Sequence, residues 1–374
     1  MAGLYLHIPF CKQACHYCDF HFSTNQTLKE EIVTALLKEM EMQREYLSGE
    51  TIETIYFGGG TPSLLSSVQL ESLLVGVSKN FTLAQSLEIT LEANPDDLTP
   101  LLLKDLRAIG FNRLSIGVQS FDEAVLKFFN RAHHAAQSVT CIENARQAGF
   151  DNISIDLIYS IPQQSLAEWK ENIMKAISLR PEHISAYSLT IEDKTVLGHR
   201  QKKGLLQPLA ENESAFQVEL LIVELEGAGY IQYEISNFCR PGFYSKHNTS
   251  YWQQKKYVGL GPSAHSYDGI TRQWNVANNH AYLNSIKKGA LSFEKEVLTR
   301  SNKINEYIFT TLRTRWGCSV QYLTEVFAFT LDQRKLDKYT KQGLLRTENR
   351  TIFLTAKGKL LADHIAMDLF VDAG

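Results

Sequence analysis

Six short β-rich runs recur through the first two thirds of the chain: "GLYLHI" (3–8), "TIETIYF" (51–57), "SLEITLEA" (86–93), "RLSIGVQ" (113–119), "NISIDLIYS" (152–160) and "HISAYSLTI" (183–191). Helical patterns follow them at about 27–48, 66–79, 99–109, 121–148 in two pieces, 165–179 and 211–228. Parallel strands need long crossovers, so this alternation predicts βα units and a parallel sheet in an α/β fold. Six units predict a TIM-like barrel, complete or partial. Periodicity also leaves an open, doubly wound sheet standing.

From about 230 the rhythm breaks. "YIQYEISNFCRPGFYSKHNTSYWQQKKYVGLGPSAHSYDG" is rich in aromatics, Gly and Asn and reads as strand and loop. From about 301 two or three helical patterns precede a short hairpin, with its turn at "ENR", and a last helix. That order predicts a winged-helix-like α+β module with a structural or docking role. The expected divisions are 1–235, 236–300 and 301–374.

The unusual polar residues fall at strand ends. Three cysteines, Cys11, Cys15 and Cys18, follow the first strand, and "GGGTP" (58–62) follows the second. Glu92 ends the third strand, Gln119 the fourth, Asp156 lies on the fifth, and Thr190 and Glu192 end the sixth. Active sites of parallel α/β folds gather at the carboxyl ends of the strands. The convergence therefore predicts one site on that rim.

With a net charge of -3, the chain gives no sign of a nucleic-acid partner. No apolar run reaches the roughly 18 residues of a membrane span, and "MAGLYLHIPF" lacks the charged start of a secretory signal. A cytoplasmic protein is expected. Thiols stay reduced there, so clustered cysteines point to metal or catalysis. Cys141, Cys239 and Cys318 stand alone and read as buried structural thiols. The spacing C-x3-C-x2-C can supply three ligands to a 4Fe-4S cluster and leave the fourth iron open to a small chelator. A zinc site completed by His7, His16 or His21 is the rival, and a redox CxxC leaves Cys11 unexplained. Three glycines after a strand let backbone approach a ligand closely; alone they also fit a plain tight turn.

Together, "YLHIPFCKQACHYC", "YFGGGTPSLL", "EANPDDL", "RLSIGVQSF", "NRAH", "SIDLIYSIP" and "GLGPSAHSY" resemble the radical S-adenosylmethionine superfamily. More narrowly, they resemble the oxygen-independent coproporphyrinogen III dehydrogenases and the related HemW-type haem chaperones. The likeness covers most of the chain. It implies a partial six-unit barrel and a cluster on Cys11, Cys15 and Cys18, with methionine chelating the open iron. It implies that Tyr5 packs at the cluster, that Gly59, Gly60 and Thr61 line the methionyl end, and that Glu92 contacts S-adenosylmethionine. Gln119, Arg131 and Asp156 fall where the dehydrogenases hold a second cofactor molecule. Asp156 on a buried strand needs a partner, and Arg131 is the expected one.

One position departs from the dehydrogenases. Their motif continues to a further cysteine two residues past the third, and here that position is Phe20. The chaperone-type proteins share the loss, and "HNTSYW" (247–252) fits their HNxxYW signature. The resemblance implies haem binding, with His247 as iron ligand and Tyr251 and Trp252 packing on the porphyrin; His265 is a second candidate ligand. The implied function is a carrier that delivers haem to respiratory proteins rather than an enzyme in steady turnover. Peripheral membrane association would follow where recipients are membrane-bound, and a homodimer is the oligomer to test. The alternative is radical oxidative decarboxylation of coproporphyrinogen III. A zinc-stabilised structural or nucleic-acid-binding protein is a third reading.

Overall fold

The computed structural model describes residues 2–371. Six parallel strands form the centre of the main sheet: β1 (Ala2–Ile8), β2 (Ile52–Gly59), β3 (Leu83–Ala93), β4 (Arg113–Gln119), β5 (Ile153–Tyr159) and β6 (His183–Ser188). They lie side by side in chain order, each hydrogen-bonded to the next. A doubly wound sheet reverses strand order at a switch point. None occurs between β1 and β6, so right-handed crossovers place the connecting helices on one face and leave the other as a lumen. Among the described residues the sheet ends in free edges and does not close on itself, which makes it a partial (βα)6 barrel. The sixth strand is shorter than its sequence pattern. It stops at Ser188, so Thr190 and Glu192 lie past its end, exposed.

Alternation along each strand sorts the side chains. Leu4, Leu6 and Ile8, Ile55 and Phe57, Leu114, Ile116 and Val118, and Ile153, Ile155 and Leu157 enter the core beneath the helices. Each such burial contributes about 1.5–3 kcal/mol. Their neighbours face the lumen and are polar: Tyr5, Thr54, Tyr56, Glu88, Glu92, Arg113, Asp156 and His183. A lumen lined this way is built to hold polar chemistry, since unpaired polar groups are costly to bury.

Residues after the sixth unit extend the sheet at both ends. β7 (Ile231–Gln232) and β8 (Asn237–Cys239) add beyond β6. β9 (Tyr257–Leu260) pairs parallel with β1, followed by β10 (His265–Tyr267), β11 (Thr271–Asn275) and β12 (Phe293–Val297). Between them lies an unexpected helix, Lys246–Trp252, where the sequence reads as strand or loop. It is only seven residues long and needs outside support. Ser245 accepts a hydrogen bond from the Asn248 N–H, and the Glu88 carboxylate accepts those of Lys246 and His247 at 3.2 and 3.0 Å. His247 packs against Gly3 and Thr54. Those residues begin β1 and β2, so the helix plugs the amino end of the lumen.

The C-terminal residues form a second core around Ile304, Ile308, Leu323, Ile352 and Ile365. Helix Arg300–Leu312, β13 (Cys318–Ser319), helices Val320–Phe327 and Gln333–Lys341, then β14 (Leu345–Glu348) and β15 (Thr351–Leu354), follow winged-helix order. Asn349 and Arg350 both take positive φ in the two-residue hairpin turn.

Candidate functional site

The cysteine loop leaves the carboxyl end of β1 and is closed at its base by the Phe10–Ser23 bridge. All three thiols are free and half-buried. Neighbouring motif loops hold the loop in place. The Lys12 ammonium reaches the carboxylates of Asp96 (2.7 Å) and Asp97, in "EANPDDL". Gln13 donates to Asn130 Oδ1 (2.6 Å), and Asn130 donates to the Ala14 carbonyl (2.8 Å). Thr61 donates to Cys11 Sγ at 3.4 Å, and Arg131 Nη1 donates to Cys15 Sγ at 3.4 Å. Burial pushes the Cys11 thiol up to about 11 and the Cys18 thiol up to about 12. Alone they stay protonated at neutral pH, and a bound metal replaces the proton. The histidines weighed for zinc are engaged elsewhere: His7 with Tyr5 and the His21 carbonyl, His16 with the Phe128 carbonyl, His21 with Asn279. Among the described residues no three His, Cys, Asp or Glu side chains converge on a single-ion site. Three free thiols on one loop, with hydrogen-bond donors at two sulfurs, fit an iron–sulfur cluster.

The second wall is the glycine turn after β2. Glu92 lies beneath it, accepting from Tyr56 OH at 2.7 Å and from the Gly59 N–H at 3.2 Å. Burial, with Asp156 nearby, raises Glu92 to about 7. Asn94 donates to Thr61 Oγ1 (3.2 Å) and ties this turn to "EANP". Gly59 sits at φ +105°, and a methyl on Gly60 would lie 2.6 Å from the Phe10 carbonyl oxygen. Gly60→Ala is therefore expected to displace the cysteine loop, costing about 1–3 kcal/mol. Thermal denaturation checks this; a variant as stable as wild type contradicts the packing argument.

Gln119 ends β4 in a left-handed conformation, φ +63°, beside Arg131. Arg131 does not pair with Asp156 as the sequence predicts. Its Nη2 donates to Asn94 Oδ1 (2.6 Å) and the Gly117 carbonyl (2.8 Å), and Nη1 to Cys15, so the guanidinium serves the cluster loop. Asp156 is instead held by Ser185 and Ser115 with Arg113 nearby, and burial raises it to about 6.

His247 lies deep in the fold. It is 1% exposed, with Nδ1 bonded to Thr54 Oγ1 (2.8 Å) and Nε2 to Tyr251 OH (2.8 Å). Tyr56 stacks on its ring at 4.9 Å. In this conformation both nitrogens are committed, Nδ1 to Thr54 and Nε2 to Tyr251, which itself lines the neighbouring cleft. Burial lowers His247 to about 3.

Tyr251 and Trp252 line a cleft of ≈ 990 Å³. It runs between the rim of the main sheet (Tyr5, His7, His21, Tyr257, His265, Arg272) and the C-terminal module (Asn305, Phe309, Met367, Phe370). Phe20, 70% exposed, is one of its walls. The Trp252 indole N–H is buried without a partner among the described residues.

Residues 5–176 match the Radical SAM superfamily. Over 372 residues the chain is 38% identical to "Heme chaperone HemW" of Bacillus subtilis (strain 168), covering 98% of both proteins. The chain belongs to the HemW family. The Lactococcus lactis HemW is 36% identical over 371 residues, 98% of this chain and 97% of that protein. In fold, the HemW-family chain superposes on coproporphyrinogen III oxidase (HemN) of Escherichia coli with a TM-score of 0.86. That match covers 99% of this chain and 90% of the other at 24% identity, a likeness of fold. Membership of the radical SAM superfamily implies a 4Fe-4S cluster and S-adenosylmethionine, in keeping with the free thiols and the glycine turn.

Sequence reading missed several residues that build this HemW-type site: Lys12, Thr54, Tyr56, Glu88, Asn94 and Arg113. Asn94 lies inside the quoted "EANPDDL", and Tyr56 and Arg113 occupy lumen-facing strand positions, so alternation carried a signal for them. Thr54 and Glu88 matter only through a helix about 160–190 residues away.

Proposed function

We propose that this protein carries haem in the cleft beside the cysteine loop and delivers it to haem-requiring respiratory proteins. The scaffold holds a 4Fe-4S cluster on Cys11, Cys15 and Cys18. S-adenosylmethionine lies along Gly59, Gly60 and Thr61, above Glu92, and its amino acid end completes the cluster. The observation that carries the reading is the placement of Tyr251 and Trp252, from the HNxxYW segment, on the wall of a cleft large enough for a cofactor. Aromatic faces suit a porphyrin plane, and Lys255 and Arg272 on the same wall would meet its propionates by exchanging their present partners Glu53 (3.2 Å) and Glu306 (2.9 Å). Full-length similarity to proteins named as haem chaperones supports it. Among the described residues no helix is long and apolar enough to cross a membrane, so a membrane-bound recipient would be met at the surface. A homodimer remains the oligomer to test in the haem-loaded form.

Haem titration of the anaerobically reconstituted protein is expected to saturate near one haem per chain. Trp252→Ala is expected to weaken binding by about tenfold, the loss of one well-packed aromatic contact. The same sample, given coproporphyrinogen III, reductant and S-adenosylmethionine, is expected to yield no protoporphyrinogen. Stoichiometric decarboxylation without saturable haem binding would replace this reading with the dehydrogenase one.

A further inference from the structure

Cys11 and Cys15 each accept a hydrogen bond from another loop, and both bonds lead back to one residue. Thr61 Oγ1 donates to Cys11 Sγ at 3.4 Å, and Arg131 Nη1 donates to Cys15 Sγ at 3.4 Å. Asn94 sits between the two donors. Its Oδ1 accepts from Arg131 Nη2 at 2.6 Å, and its Nδ2 donates to Thr61 Oγ1 at 3.2 Å. A guanidinium has no acceptor, so the amide oxygen must face Arg131 and the amide NH2 must face Thr61. The Thr61 oxygen is then an acceptor toward Asn94, and its proton is left for the sulfur. The path Cys11–Thr61–Asn94–Arg131–Cys15 joins the loops that follow β1, β2, β3 and β4.

Asn94 is itself fixed from behind. Pro95 follows it and restricts its backbone to extended conformations. Its carbonyl accepts from the Asp97 N–H at 3.1 Å, and its N–H donates to Ser63 Oγ at 3.4 Å. Ser63 in turn donates to the buried Asp97 carboxylate at 2.7 Å. Arg131 has a second anchor, the Gly117 carbonyl, which accepts from Nη2 at 2.8 Å. Its Nη1 also lies 3.5 Å from Tyr17 OH, so a guanidinium released by Asn94 has another group to turn to.

Hydrogen bonds to the sulfurs are one of the levers that set the potential of an iron–sulfur cluster. The reduced cluster carries one more negative charge than the oxidised one, so donors and a guanidinium at its sulfurs favour reduction. We propose that Asn94 is a positioning residue that raises the reduction potential of the cluster, by aiming Thr61 at Cys11 and Arg131 at Cys15. This rests on the cysteine ligand set proposed above. Among the described residues no hydrogen bond runs from the Asn94 side chain to a cysteine, so its effect passes through the two donors.

The test measures the midpoint potential of the anaerobically reconstituted cluster, without S-adenosylmethionine, by redox titration followed by electron paramagnetic resonance. Iron and sulfide are counted in every sample. Asn94→Leu is close in size and removes both arms; Asn94→Ala is a second neutral variant. Each is expected to hold four irons and to shift the equilibrium toward the oxidised cluster by at least about tenfold, about 59 mV for one electron. Thr61→Val removes one arm and should shift it in the same direction by less. The double variant Asn94→Leu/Thr61→Val should shift no further than Asn94→Leu, because the two residues act on Cys11 in series. An unchanged potential in a four-iron Asn94 variant, or additive shifts in the double variant, would overturn the assignment. Loss of the cluster from both Asn94 variants would make the role structural and overturn it too. A wild type that takes up no four-iron cluster would instead overturn the ligand set on which it rests, which keeps the two failures distinct.

Discussion

Serine at Cys11, Cys15 and Cys18 together is expected to drop iron and acid-labile sulfide from about four each per chain to background, with the fold retained. A serine hydroxyl stays protonated at neutral pH and is a poor ligand for iron that prefers soft thiolate. The nearby histidines are held by other partners, His7 through both ring nitrogens and His16 and His21 through one each. The loop itself should persist. It is anchored by Lys12 to Asp96 and Asp97, by Gln13 to Asn130, and by the Cys11 N–H to the Ser23 carbonyl, none of which uses sulfur. Iron and sulfide analysis beside far-ultraviolet circular dichroism checks both halves. Full iron in the triple variant, or stoichiometric zinc in wild type, would contradict the ligand set.

His247→Ala is expected to be the most destabilising single change, about 3–5 kcal/mol. It opens a cavity under Tyr56 and Tyr5, and it strands the Thr54 hydroxyl and Tyr251 OH. A pH series separates this structural role from a ligand role. His247 is neutral in the fold, at about 3, against 6.5 for the free side chain. Below 6.5 the unfolded chain binds a proton that the folded chain refuses. Its stabilising contribution is therefore full above 6.5 and shrinks by about 1.4 kcal/mol per pH unit as the pH falls toward 3. Denaturant titrations of wild type and His247→Gln should show their stability difference closing over that window. A constant difference would mean that His247 is not buried as a neutral ring.

The frame of the protein was legible in its strand runs. All six appear within a few residues of their patterns, because β-branched alternation and the intervening amphipathic helices are local signals. The thiol loop was equally legible, since three cysteines so close together have few other uses. "HNTSYW" was not. A seven-residue helix shows too little periodicity to announce itself, and this one stands on Glu88, which caps it from β3. The Asp156–Arg131 pair failed for a similar reason. Opposite charges in one list of motifs say nothing of whether loop geometry turns the guanidinium to the cysteines instead.

The sequence by itself determined a βα frame with three thiols, a glycine turn and a carboxylate on one rim, because those features are written in neighbouring residues. The tertiary structure decided what each histidine meets. His247 and His265 carry the same side chain, eighteen positions apart, in equally aromatic surroundings. Only the fold sets one against Thr54, 193 residues away, and opens the other to a cleft whose second wall comes from beyond residue 300. The partners of a side chain are a property of the assembled surroundings, and no local pattern encodes them.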